Sequence, residues 1–335
     1  MKYYDYVKQL TQLRLKIVPP LHPGAFIRDK RISLNLTLDE LAEHICSPST
    51  LSKIETGQQQ ATPALLSKLY QKLNLSEPLN LKRIKWVEAI RFKLYHQDIS
   101  SLKEVLPTLP FHYQTCLLKF IISILNQNII HAKKQMLPLK SLILYMSLEE
   151  LQLYFLFLGK YYHHLNEGLL TKNYYHLSYD IAVNLLLPDP LLLLSLAEYY
   201  SLTNDSIKAI HLTQKALDLF KESYSIKYVI DCELLLIHAY IQTELFSKAF
   251  TLIQQLKLKL DYADSYHQGS KLFIYYGDYY FALKDYPMAE NMYLKAFHDP
   301  CFTANAIASL MKLYYHSEQH SKIQPLVNHL QPSNL

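Results

Sequence analysis

The chain has 335 residues, of which half are hydrophobic, 19% are charged and only six are glycine. Without glycine-rich GxGxxG or GxxxxGKS/T loops it is excluded from the phosphate-loop nucleotide enzymes, although it is long enough for two domains with a sizeable core. Its net charge of +5 is uneven: residues 1–97 carry 15 Lys/Arg against 8 Asp/Glu, and residues 98–335 carry 19 against 21, which suits one basic end for a polyanion and a different task for the rest.

Residues 1–22 form an extension whose MKYYDYVKQLTQLRLKIVPP predicts one amphipathic helix before Pro19-Pro20. Lys2, Asp5, Lys8, Arg14 and Lys16 interrupt it, so it has no apolar signal-peptide region. It is a candidate for swapping, dimer contact or DNA contact. From Pro23 the pattern changes to short helices with short connections. GAFIRDKRISLN places Phe26, Ile27 and Leu34 among basic residues. Thr37-Leu-Asp-Glu40 is a capping box, and Leu38, Leu41, Ala42 and Ile45 then share a face. A turn follows near Cys46-Ser47-Pro48. The next helix starts at Pro48 or Ser49, buries Leu51 and Ile54, and stops at Gly57. Pro63 opens another, carrying Leu65, Leu66, Leu69 and Leu73. Two short helices and a tight turn inside such a cluster describe a helix-turn-helix over residues 23–78.

Here the sequence resembles the Cro/C1 (XRE) helix-turn-helix family through IRDKR, TLDELAEHI and STLSKIETG. Within it, EHICSPSTLSKIETG is similar to the peptide-pheromone regulators of the PlcR/Rgg (RRNPP) quorum-sensing type, whose turn is one residue shorter than in common repressors. The resemblance implies that Arg31 and Glu55 form a buried structural ion pair. It implies recognition-helix contacts to DNA from Ser47, Pro48, Ser49, Thr50 and Lys53. It implies DNA-backbone contacts from Arg28, Thr37, Ser52 and the loop Gln58-Gln59-Gln60. The family usually has Gln after the second-helix cap; this chain has Leu38, so that phosphate contact is lost or moved.

Residues 79–97 read as a linker helix and 98–335 as helices throughout, broken near Pro107–Pro110, Pro188–Pro190 and Pro300. FIYYGDYYFALKDYPMAENMYLKAF, residues 273–297, resembles a tetratricopeptide (TPR) repeat. Gly277 permits close helix approach, Tyr280 packs between helices, and Ala289, Tyr293 and Ala296 complete the unit. Ala197, Tyr200, Ala209 and Ala216 mark a second copy, and Tyr240 and Ala249 a third. Gly159, Tyr162 and Ala182 mark another, in which the alanine comes four residues late and implies an insertion. YY pairs at 161–162, 199–200, 279–280 and 314–315 end first helices. Six or seven helix pairs of this period mean a right-handed TPR-like α-solenoid with a concave surface lined by first helices. The whole chain is therefore expected to be all-α.

The residue after the reference glycine in successive repeats is Lys160, Glu198, His238, Asp278 and Lys312; an earlier position on that face gives Asp231, Lys271 and Asn305, and His163 lies beside them. A polar stripe along an apolar groove suits an extended peptide. In the resembling regulators the repeat domain binds a short reimported signalling peptide, with asparagines clamping its backbone; Asn184, Asn204 and Asn305 are the candidates for that role here.

Cys46, Cys116, Cys232 and Cys301 are isolated, with no metal spacing, and are expected to be reduced, buried thiols in the cytosol. His163-His164 lacks a third ligand, and Glu149-Glu150 fits the first turn of a helix. No catalytic set and no cofactor are expected. The resulting expectation is a cytoplasmic, homodimeric transcriptional regulator that binds double-stranded DNA, is controlled by a short signalling peptide and has no membrane span. Two alternatives stand beside it: a TPR protein-interaction scaffold, and a regulator of an enzyme.

Overall fold

The structure is a computed structural model that describes residues 4–5, 7–9, 11–12, 23–56, 58–59, 61–73, 79–109, 112–143, 146–261 and 266–329. Every regular element among them is helical. The chain divides into two compact units, Met1–Leu192 and Leu193–Leu335.

The first unit begins with a small head of α1 (Pro23–Ser33), α2 (Leu38–Ala42), α3 (Pro48–Glu55) and α4 (Pro63–Lys72). The capping box forms: Glu40 N–H donates to Thr37 Oγ1 at 3.2 Å, and Thr37 N–H donates to Glu40 Oε2 at 2.6 Å. These backbone and side-chain bonds hold the Glu40 carboxyl below its usual range. α2 stops at Ala42, earlier than the apolar spacing through Ile45 predicts, and the turn occupies residues 43–46 rather than starting at Cys46. The chain leaves the helical region at Glu43, whose ψ is 127°, and His44 follows with a φ of +62°. Ile45 still packs against the head core. α3 begins at Pro48, where a missing N–H costs nothing. Gly57, the expected helix stop, lies outside the described residues. Ile27, Leu41, Leu51, Ile54, Leu69 and Leu73 fill the core; burying each contributes about 1.5–3 kcal/mol against exposure. Leu38 packs on this core, so the residue that replaces the family's Gln turns inward.

The rest of the first unit is helix pairs: α5 (Leu79–Tyr95) with α6 (Ile99–Val105), α7 (His112–Leu125) with α8 (Ile129–Leu142), and α9 (Leu148–His164) with α10 (Gly168–Asn184). α1 of the head touches α7. The described part of the N-terminal extension packs on α10: Val7 and Thr11 are buried, and the Tyr4 ring stands edge-on to Tyr174 at 5.6 Å. α11 (Pro190–Leu202) carries the chain into the second unit, followed by α12 (Ser206–Glu222), α13 (Ile226–Gln242), α14 (Phe246–Asp261), α15 (Tyr266–Ala282), α16 (Tyr286–Phe297), α17 (Thr303–His316) and α18 (Ile323–His329). In this unit the first helices α13, α15 and α17 touch in succession.

Every pair turns in the same way. Gln97, Gln127, Asn166, Asn204, Glu244, Lys284 and Glu318 each take a positive φ of 53–60° or close to it, up to 62° at Lys284. Directly after four of these, Asp98, Asn128, Asp205 and Asp285 cap the next helix by accepting the backbone N–H three residues on. The Ser101 hydroxyl and N–H pull the Asp98 carboxyl down to about 2. Because α5 ends in this turn at Gln97, the helix expected as a separate linker is built as the first helix of a pair.

Gly277 supports Tyr293, and Gly159 supports Tyr175. The glycine–tyrosine spacing is identical, so the insertion expected before Ala182 is absent. Ser178, fully buried, stands where Ala296 stands in the other unit. A methyl group on Gly277 would come within 2.4 and 2.5 Å of two carbons of the Tyr293 ring, whose hydroxyl donates to Asp278 Oδ1 at 2.7 Å and keeps the ring in place. Gly277→Ala should therefore cost about 1–3 kcal/mol and lower the calorimetric unfolding midpoint by roughly 3–10 °C. An unchanged midpoint would show that the ring steps aside freely.

Only Cys116 and Cys232 are fully buried; Cys46 is half-buried and Cys301 exposed, which corrects the expectation of four buried thiols. All four are free.

Candidate functional site

In the second unit the predicted groove residues converge from successive first helices. Glu198 lies on α11, Asp231 and His238 on α13, Lys271 and Asp278 on α15, and Lys312 on α17. The His238 ring stacks on Tyr275 at 5.0 Å. Lys271 lies 5.9 Å from the centre of the same tyrosine ring. Burial alone would lower the Lys271 pKa, but Tyr275, Asp231 and Glu198 together raise it. Burial, and then the charge of Lys271, push the His238 pKa down. Burial raises Asp278, opposed by the Tyr293 hydrogen bond and by Lys312. These six side chains thus form one electrostatic cluster of mixed sign. Asn305 stands exposed near the start of α17, outside it. Lys160 and His163 lie on α9 of the first unit, where their charges lower the pKa of His164 after burial has done so. Asn184 bonds back to the Asp180 carbonyl at 2.6 Å, and Asn204 holds a turn, so neither sits on a first helix.

A cleft of about 600 Å³ opens between α12, α13 and α14, bounded by Gln214, Asp218, Tyr240, Lys248 and Gln255. Tyr240 follows His238 by two positions, about 200° round the helix, so this cleft lies on the opposite side of α13 from the cluster. Its lining includes none of the predicted groove residues.

Two buried polar networks tie α5 to its neighbours in the first unit. Trp86 Nε1 donates to Glu150 Oε1 at 2.8 Å, which also accepts from Gln114 Nε2 at 2.8 Å, while the Tyr113 hydroxyl reaches Oε2 at 3.1 Å. The same carboxylate closes a capping box with Ser147. Glu150 is therefore the first-turn residue expected from sequence and also a buried junction that sequence did not show. The Arg91 guanidinium meets Asp189 Oδ2 at 3.0 Å and also bonds Gln152 Oε1. Gln152 Nε2 in turn donates to Asp189 at 2.9 Å.

In the head, Arg31 and Glu55 form the expected two-point ion pair, Nε to Oε1 and Nη2 to Oε2 both at 2.8 Å. Arg31 Nη1 adds a bond to the Leu36 carbonyl at 2.9 Å, so one side chain fixes α1, the following turn and α3. The Ser47 hydroxyl accepts the Thr50 N–H at 3.1 Å and lies 3.0 Å from Ser49 Oγ and 2.8 Å from Thr50 Oγ1. Ser47, Pro48, Ser49 and Lys53 are exposed, as are Thr37 and Gln58; Arg28, Thr50 and Ser52 are half-exposed. Gln60 lies outside the described residues. The second helix of the pair thus presents its N-terminal turn outward, a small hydroxyl-rich surface beside one lysine.

Residues 27–79 match the helix-turn-helix family.

Solved structures carry the likeness into the repeats. NprR in complex with its cognate peptide NprX aligns at 18% identity over 74% of this chain and 76% of its own, with a TM-score of 0.65. A Rap protein complexed with Competence and Sporulation Factor aligns at 15% identity over 73% and 75%, with a TM-score of 0.60. The apo form of RapI gives 13% identity over 71% and 74%, at 0.50. At these identities the likeness is one of fold: a helical repeat array of the NprR and Rap kind. No match is found among curated proteins.

The residues expected from sequence to contact DNA, where the structure describes them, are exposed or half-exposed on the head. The structure adds that three of its hydroxyls engage one another, with Ser47 serving as a cap. Among the described residues no group of three His, Cys, Asp or Glu is placed to hold a metal ion. No helix among them is long and apolar enough to cross a membrane.

Proposed function

We propose that this chain is a cytoplasmic, sequence-specific transcriptional regulator of the peptide-controlled PlcR/Rgg type. The helix-turn-helix binds double-stranded DNA as one half of a homodimer, and a short signalling peptide binds along the first helices of the array. The observation that carries this is the combination on one chain: a helix-turn-helix with an outward N-terminal turn, and an array with the fold of peptide-bound NprR. Ser49, Thr50 and Lys53 face the major groove, where hydroxyls and a cation suit base edges and phosphate oxygens. Arg28, Thr37, Ser52 and Gln58 hold the backbone. Two heads are needed because one small head buries too little for strong discrimination. Control works by population shift: the peptide must bind one head arrangement more tightly than the other. The contact between α1 and α7 supports such coupling, since the head is seated on the array within its unit.

The test is selection of genomic fragments by the full chain at two salt concentrations, followed by sequencing. One recurring two-part motif is expected, with affinity falling steeply as salt rises. Ser49→Ala with Thr50→Ala should weaken binding to that motif about tenfold, the worth of roughly one good contact, with the unfolding midpoint nearly unchanged. Ser47 is left intact because its loss would also uncap α3. Uniform, weak recovery of unrelated fragments would overturn the proposal.

A further inference from the structure

The cluster on α11, α13 and α15 contains a buried polar atom that has no hydrogen-bond partner among the described residues. The Ser206 hydroxyl donates to Gln242 Oε1 at 2.7 Å. That leaves the Gln242 amide NH₂ as the donor toward His238 Nε2, 2.9 Å away. Nε2 is then the acceptor nitrogen of a neutral imidazole, and the ring proton sits on Nδ1. Nδ1 is buried and finds no hydrogen-bond partner among the described residues. The ring is stacked on Tyr275 and held at Nε2 by Gln242, so a partner reaches Nδ1 only by displacing what covers it. A fixed, buried donor of this kind is costly unless something accepts from it.

The surrounding charges decide what that is. Lys271 is the nearby cation, but Asp231 and Glu198 both act on it, while Asp278 lies two turns further along α15 and is opposed by Lys312. An incoming carboxylate there would gain one ammonium and meet the two carboxylates that already act on it. A neutral oxygen carries no such penalty, and a positive group beside it is favoured. Building on the peptide site proposed above, we infer that His238 holds a main-chain carbonyl of the bound peptide through Nδ1–H, at a position where Glu198 and Asp231 select a neutral or basic residue over an acidic one.

The experiment incubates the full chain with a library of randomised heptapeptides, separates complexes by size exclusion and sequences the retained peptides by mass spectrometry. Peptides lacking Asp and Glu at one fixed position, and enriched there in Lys or Arg, are expected. The tightest is resynthesised with an ester in place of each amide in turn, which weakens one carbonyl as an acceptor at a time. One replacement should weaken binding to the wild type about tenfold and have little effect on His238→Gln, which keeps the Nε2 position and loses the Nδ1 donor. His238→Asn places an amide NH₂ where Nδ1 was and should retain most of the affinity. Retention of no peptide by the wild type overturns the peptide site and this inference together. Peptides that bind His238→Gln as tightly as wild type, or the absence of any ester-sensitive position in the wild-type protein, overturn the role of His238 alone. Enrichment of Asp or Glu at the ester-sensitive position overturns the charge selection. The ester series on the wild type requires no variant to fold.

Discussion

Replacing Glu55 by alanine is expected to unfold the helix-turn-helix head while the repeat pairs stay folded. The carboxylate is 3% exposed and its partner Arg31 is 12% exposed. Removing it strips a largely buried guanidinium of its two-point carboxylate partner. Breaking a buried pair from one side costs about 3–5 kcal/mol. A head of roughly fifty residues, with a core of a few aliphatic side chains, has little more than that to lose. Hydrogen exchange should therefore show loss of protection in α1–α4 with α9 and α10 unchanged, and DNA binding should vanish at 37 °C. Glu55→Gln retains the shape and one bond and should lie between the two. Full protection of the head in Glu55→Ala would show that the ion pair is dispensable.

Arg91→Ala should have a comparably large effect in the array. The pair with Asp189 is 8% and 1% exposed, and the Asp189 carboxylate also accepts the backbone N–H groups of Leu191 and Leu192 at 3.0 and 3.3 Å. Without the guanidinium the buried carboxylate loses its paired cation and keeps neutral donors, Gln152 and Tyr95 among them. We expect a loss of about 3–5 kcal/mol, and a midpoint lower by roughly 6–15 °C, read by calorimetry on the full chain. Arg91→Met with Asp189→Leu should be milder than Arg91→Ala, since no charge is then stranded. If the double variant is the worse of the two, the side chains are coupled to something other than each other.

These two pairs mark what the sequence makes legible and what it hides. Arg31 and Glu55 could be named beforehand because both lie in a short, patterned segment with a family resemblance. The capping box at Thr37, the start of α3 and the small residues under Tyr293 are local and were equally readable. Arg91 and Asp189 are 98 positions apart, and Trp86 and Glu150 are 64 apart. No periodicity links such residues, so an arginine in a helix reads as surface and a glutamate as a first-turn residue. The insertion inferred before Ala182 failed for a related reason. A buried serine fills an alanine's place at Ser178, and a search for alanine passes over it. The His238 Nδ1, without a partner among the described residues, was invisible because its state depends on Ser206, from another helix, orienting the amide of Gln242.

The repeated turn was missed although it has a signature. The strained residue varies among Gln, Asn, Glu and Lys, which hides it, but an Asp or Asn follows it in four of the seven cases. A left-handed residue that is not glycine costs roughly 1–2 kcal/mol, and the cap beside it offsets part of this. A chain with six glycines thus repeats one backbone shape with side chains of many kinds. Such a turn is a natural splice point. A gene duplicating the stretch between two of them would add one helix pair without disturbing its neighbours, so the length of ligand that proteins built this way can grip would be open to change by copying rather than by point mutation.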